Sequence, residues 1–126
     1  MNKAKRDSLK DRVLRAPLLS FSIIKEIARL KKEPKWTNGD SNAVTLQKNS
    51  NIRIVLISLR KGATLHEHKV EGPITLFLLS GKMNFIAGEE KIVAETNGLI
   101  VLEKTIPHDV EALEDTTFII TIIKSK

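Results

Sequence analysis

Residues 74–102 read ITLFLLSGKMNFIAGEEKIVAETNGLIVL, a series of short apolar and β-branched runs separated by turns that contain glycine. The turns are Ser80-Gly81, Ala87-Gly88-Glu89 and Asn97-Gly98. Runs of about four to eight residues bounded by such turn residues are typical of β-strands. This stretch therefore predicts four consecutive strands, over residues 74–80, 82–87, 91–94 and 99–102.

The same pattern continues on both sides of this stretch and predicts further strands over residues 43–47, 52–60 and 116–123. The predicted strands are short and closely spaced, and no second strong helical pattern interrupts them. An open sheet built from them would leave long apolar edges, so closure into a barrel or a sandwich is favoured. We therefore expect an all-β domain over residues 37–126.

The segment before this domain differs from it in charge and in periodicity. Residues 1–36 hold 11 Lys and Arg against four Asp and Glu, whereas residues 37–126 hold 10 against 11. Between residues 18 and 32, apolar side chains recur at the three- and four-residue spacing of an amphipathic helix. Ser20 or Ser22 can cap its start, and Pro34 ends it. We expect residues 1–36 to form a basic arm and one helix, with an apolar stripe made by Leu19, Ile23, Ile24, Ile27 and Leu30.

The composition excludes several classes of protein. The 126 residues include no cysteine, so disulfides, thiolate metal sites and thiol catalysis are excluded. No apolar run approaches the ~20 residues of a membrane span, and no apolar signal-peptide core follows the basic start, so we expect a cytoplasmic protein without a membrane partner. A nucleic-acid partner is not expected either, because no recognised nucleic-acid-binding motif accompanies the basic arm.

Three histidines are the residues most suited to carry chemistry. His66 and His68 are two residues apart, and in a strand such residues point to the same face about 6.6 Å apart. Two imidazoles at that separation can converge on one metal ion, for which a third ligand is needed. The remaining histidine, His108, follows Pro107 at the start of another strand-like run. The three together predict a metal site, although solvated strand histidines would show the same spacing.

At these residues the sequence resembles the small single-domain cupins, which have an RmlC-like jelly-roll barrel. The first cupin motif contains Gly, His-x-His, Glu and Gly; Gly62, His66, His68 and Gly81 match it, and Ile74 stands at the glutamate position. The second motif is matched loosely by residues 97–108. The resemblance covers residues 43–123. It implies a cupin-type jelly-roll β-barrel preceded by one amphipathic helix, metal-binding histidines on inward faces, and pairing as a homodimer.

Two functions remain open at this point. In the first, His66, His68 and His108 bind one divalent ion, either iron, manganese, nickel, copper or zinc, in an aliphatic cavity that receives a small organic molecule. Dioxygenase or isomerase-like activity would then follow from the resemblance. In the second, the barrel is a metal-free module that binds or senses a small ligand without catalysis. The sequence does not decide whether the protein is an enzyme.

Overall fold

The computed structural model of this protein describes residues 17–67, 72–103 and 106–124. These residues form two helices, α1 (Ile23–Leu30) and α2 (Pro34–Thr37), and nine strands. The strands are β1 (Ser41–Lys48), β2 (Ile52–Leu59), β3 (Thr64–Glu67), β4 (Ile74–Ser80), β5 (Lys82–Ala87), β6 (Glu90–Glu95), β7 (Leu99–Leu102), β8 (His108–Ala112) and β9 (Thr116–Ile123).

The strands form two antiparallel sheets that pack face to face. The first sheet has the order β1-β2-β9-β4-β7 and the second has the order β3-β8-β5-β6. All strand pairs are antiparallel, and the chain moves between the sheets several times, as in a jelly roll. The predicted all-β jelly roll behind a short helix is therefore confirmed.

The main core lies between the two sheets, where the inner faces of the strands meet. Alternate residues of each strand point inward, so β4 contributes Leu76 and Leu78 and β9 contributes Phe118. The second sheet contributes Met83 and Val110 to the same core, and each of these five side chains is at most 1% exposed. The turn between β4 and β5 depends on Gly81, whose φ is +105° and where a Cβ atom would lie 2.5 Å from the carbonyl oxygen of Asp115.

A second apolar cluster attaches helix α1 to the outer face of the first sheet. Leu30 is completely buried there against Val44, Leu46 and Leu56. Asn42 holds the end of the helix, since its Nδ2 donates to the Leu30 carbonyl at 2.9 Å and to Glu33 Oε1 at 2.9 Å. The predicted helix thus covers the barrel wall.

The helix is shorter than predicted, and part of the predicted stripe is not buried. It begins at Ile23 because Ser22 caps it, with the Lys25 amide donating to Ser22 Oγ at 3.4 Å. Ile24 points to solvent and is 81% exposed, unlike its neighbours Ile23 and Ile27, which pack against the cluster. Pro34 follows the end of α1 and is the first residue of α2. A proline is tolerated there because the backbone amide of the first helical residue has no hydrogen-bond partner within the helix.

The basic arm is only partly within the described residues. Residues 1–16 lie outside them, and the predicted division between residues 36 and 37 stays a prediction, with α2 running across it. In α2, Trp36 is 6% exposed and is covered by Arg60, whose guanidinium carbon lies 4.0 Å from the centre of the indole ring. Neither helix of the described segments is long and apolar enough to cross a membrane.

Truncating Leu30 tests the contribution of α1 to stability. Because Leu30 is fully buried, Leu30→Ala should lower the free energy of unfolding by about 2–5 kcal/mol. Ile24→Ala is the matched control, and since Ile24 is exposed it should change that free energy by less than about 0.5 kcal/mol. Urea unfolding of the two variants and the wild type measures both values. Equal losses in the two variants would mean that α1 does not stabilise the barrel by packing.

Candidate functional site

The barrel interior contains a cavity of about 450 Å³ at one end of the core. Most of its wall is aliphatic and comes from strands of both sheets, including Val55, Ile57, Leu65, Ile74, Ile120 and Ile122. This volume falls within the range of about 300–1,000 Å³ that is typical of small-molecule sites. The aliphatic cavity predicted from the sequence is present, and Ile74 is part of its wall.

Three polar side chains line the same cavity: Arg53, Glu67 and His108. Arg53 projects from β2 in the first sheet, while Glu67 and His108 project from β3 and β8 in the second. In the described part of the chain, the side-chain nitrogens and oxygens that are buried without a hydrogen-bond partner are Arg53 Nε, His108 Nδ1 and His108 Nε2. All of the orphaned polar atoms therefore belong to residues of one cavity.

His108 is held rigidly by its neighbours although its ring nitrogens have no partner. It is the first residue of β8 and is only 4% exposed. Its imidazole stacks on the ring of Phe85 with a centroid separation of 5.4 Å and an interplanar angle of 22°. The strand pairing thus positions the backbone and the stacking orients the ring, while both nitrogens are buried without a hydrogen-bond partner.

The register between β3 and β8 decides which side chains join His108. Glu67 lies directly opposite His108, and Leu65 lies opposite Val110. Residues that oppose each other in an antiparallel pair share a face, and neighbours along a strand alternate. Val110 is buried in the core, so Leu65, Glu67 and His108 all face inward.

His66 consequently lies on the outer face of the second sheet. It opposes Asp109, and its Nδ1 donates to Asp109 Oδ1 at 2.9 Å. Thr64 Oγ1 lies 3.5 Å from the other ring nitrogen of His66. The His66 side chain is 58% exposed and that of Asp109 is 44% exposed, so this pair is a surface contact.

The structure therefore does not bring the predicted histidines together as expected. His66 and His108 point to opposite faces of one sheet, and the physical reason is that β3 places Leu65, not His66, against the core. His68 lies outside the described residues, so its role as a ligand stays a prediction. Over residues 17–67, 72–103 and 106–124, no group of three or more His, Asp or Glu side chains is arranged to hold a metal ion.

Two of the cavity's polar residues, Arg53 and Glu67, were not among the predicted site residues. The sequence holds a signal for each of them. Arg53 lies two and four residues before Val55 and Ile57 and so shares their inward face of the strand. The other inward positions of this strand are apolar. Leu65 is the apolar residue of the run Thr-Leu-His-Glu over residues 64–67 and therefore indicates the inward face of this strand. Glu67, two residues later, lies on the same face. A charged residue on the apolar face of a strand is thus the pattern to look for.

Comparisons of the sequence find no matching protein-family model and no matching curated protein. The structure, in contrast, resembles many solved ones. A conserved protein of unknown function from Streptococcus pyogenes is 21% identical, the match covers 90% of this chain and 92% of that one, and the TM-score is 0.66.

Two further solved structures with a similar fold are an RmlC-like cupin and an iron(II) protein. An RmlC-like cupin from Desulfovibrio desulfuricans is 26% identical over 67% of this chain and 82% of that one, with a TM-score of 0.59. A structure of Fe(II)-HppE with an alternative substrate is 14% identical over 66% of this chain and 49% of that one, with a TM-score of 0.58. With its two antiparallel sheets and its helix before the strands, this chain has a cupin-type jelly-roll fold.

Proposed function

We propose that this protein binds a small organic molecule in the barrel cavity, with an aliphatic body against the wall and a polar group beside His108 and Glu67. The observation that carries the proposal is the position of the orphaned polar atoms, all of which belong to residues lining this one cavity. A buried polar atom without a partner costs about 1–3 kcal/mol. A ligand that hydrogen-bonds to these atoms would remove that cost.

The contrast with other buried polar side chains strengthens this proposal. Asn42 bonds to the end of α1, and Asn84 Nδ2 donates to Glu111 Oε1 at 3.1 Å. Ser58 Oγ and Thr117 Oγ1 lie 2.7 Å apart and bond to each other. Elsewhere in the described residues, buried side-chain nitrogens and oxygens therefore have hydrogen-bond partners. The exceptions coincide with a volume large enough to hold a ligand.

A divalent-metal site is the second candidate function, and the same two nitrogens of His108 favour it. An unprotonated imidazole nitrogen is a good donor to the metals of the sequence prediction. Of the described donors, however, Glu67 and His108 face the cavity and His66 does not. The described donor set therefore falls short of the predicted three histidines. Dioxygenase or isomerase-like catalysis belongs to this candidate alone.

A neutral fluorescent probe tests the cavity as the binding site. N-phenyl-1-naphthylamine, which fluoresces in apolar surroundings, should bind the wild type in one equivalent. Val55→Phe fills the cavity from β2 and should weaken that binding by at least ~10-fold, because about 1.4 kcal/mol of lost contact corresponds to that factor. Val93→Phe is the matched control on β6 of the second sheet, where Val93 is 53% exposed, and should leave binding unchanged. Equal binding by Val55→Phe and wild type would place the site elsewhere.

The same titration separates the two candidate functions when it is repeated after chelation with EDTA. Ligand binding that depends only on the cavity should survive chelation, and elemental analysis should show less than stoichiometric metal in the protein as purified. Loss of probe binding on chelation, with recovery on adding one divalent ion, would instead support the metal site. His108→Phe should then also lose the stoichiometric metal.

Replacing His108 tests the cost of its orphaned nitrogens. Phenylalanine has a similar shape and can keep the stacking on Phe85, so His108→Phe should raise the free energy of unfolding of the unliganded protein by about 1 kcal/mol or more. His66→Phe is the control, and because it removes the bond to Asp109 it should have no stabilising effect. Thermal unfolding measures both. Destabilisation by His108→Phe would mean that its nitrogens already have partners in the free protein.

We also propose that the protein is cytoplasmic and, as the resemblance implies, that it forms a homodimer. Supporting this is an apolar strip on the outer face of the first sheet, beyond the part that α1 covers. Leu99 and Phe77 are cross-strand neighbours there, and Val101 lies on the same face as Leu99. Leu99 and Val101 are 62% and 56% exposed, and Phe77 is 36% exposed. A second copy of the chain, which carries the same strip, can cover it by two-fold symmetry.

Sedimentation equilibrium tests the homodimer. The wild type should have about twice the chain mass of 14.1 kDa, and Leu99→Lys should shift it to the monomer because a charge at the centre of an apolar contact is costly. Ile92→Lys, at an exposed apolar position on β6 of the other sheet, is the control and should leave the mass unchanged. A monomeric wild type would exclude the dimer.

A further inference from the structure

We infer that the natural ligand of the cavity is a small organic carboxylate and that Arg53 binds its carboxylate group. This inference rests on the proposed function and specifies the chemical class of its ligand. It starts from a guanidinium on the inner, otherwise aliphatic side of β2, whose Nε is buried without a hydrogen-bond partner. Arg53 as a residue is half-buried, and its guanidinium carries a positive charge at every physiological pH, so the buried Nε cannot be relieved by loss of a proton.

The described residues around Arg53 leave its guanidinium without an ion-pair partner. Its cross-strand neighbours in the first sheet are Lys48 on one side and Ile122 on the other, and neither can accept a hydrogen bond through its side chain. Among the ion pairs formed within the described residues, none involves Arg53. Glu67, the carboxylate that lines the same cavity, belongs to the opposite sheet and forms no ion pair with Arg53.

A carboxylate fits this position better than other polar groups do. A guanidinium presents parallel N–H donors that match the two oxygens of a carboxylate, and such charge-assisted pairs are stronger than neutral hydrogen bonds. The other end of the ligand would meet Glu67 and His108, where Glu67 can only accept hydrogen bonds when ionised. The cavity is therefore suited to an acid with an aliphatic body and, at its far end, a hydrogen-bond donor such as a hydroxyl.

Matched acids and amides test this assignment directly. Butanoate, hexanoate and octanoate are titrated into the full chain by calorimetry beside butanamide, hexanamide and octanamide. The wild type should bind at least one acid roughly 10-fold or more tightly than its amide, since hydrogen bonds to charged groups contribute about that much. In Arg53→Gln the acid should lose this advantage, while the affinity for the amide should stay within about two-fold.

Two further variants, Lys91→Gln and Arg53→Lys, serve as controls for Arg53→Gln. Lys91→Gln removes one positive charge from an exposed position on β6 and should keep the preference for the acid. Arg53→Lys keeps the charge without the paired donors and should retain only part of the preference. If Arg53→Gln does not fold, as judged by thermal unfolding, the acid-to-amide ratio of the wild type and of Arg53→Lys still decides the question.

The outcomes distinguish this inference from the function on which it rests. Equal affinity of the wild type for acids and amides would overturn the role of Arg53 and leave the cavity as a site for neutral molecules. A preference for the acid that persists in Arg53→Gln would also overturn it. If neither acids nor amides bind, and N-phenyl-1-naphthylamine does not bind either, then both the cavity function and the inference about Arg53 fail.

Discussion

The antiparallel register of β3 against β8 is the constraint on which the interior of this protein depends. Leu65 opposes Val110, and the burial of these two apolar side chains fixes the face of every other residue in the pair. Because side chains alternate strictly along a strand, a shift of one residue would exchange the whole inner set for the outer set. An apolar contact of two residues thus selects the carboxylate and the imidazole that the cavity receives.

Much of the architecture could be predicted from the sequence, because strands, turns and the helix have local signatures. The strands over residues 74–102 could be predicted because the turns between them are visible in the sequence. Ser22 was one of the two serines predicted to cap the helix. Register has no local signature, because it follows from contacts between segments far apart in the chain. The inward direction assigned to His66 followed from the family motif, whereas the position of Leu65 in the same four residues indicated the opposite face.

The cavity combines features that are unfavourable for folding and useful for binding. Its volume removes van der Waals contacts from the core, and its polar atoms lie buried without partners. In the rest of the described core, fully buried side chains such as Leu76, Met83 and Phe118 pack between the two sheets. Departures from good packing and good hydrogen bonding that coincide at one place are typical of functional sites.

The docking of α1 has a consequence for the order in which the chain folds during synthesis. The helix leaves the ribosome before every strand, yet the sheet that it covers is complete only when β9, the last described strand, inserts between β2 and β4. Ile119 of β9 is itself part of the cluster beneath the helix. An isolated helix of eight residues is too short to be stable in water, and the packing of α1 is complete only after β9 arrives. Of the described elements, the first to be synthesised is therefore among the last to complete its packing.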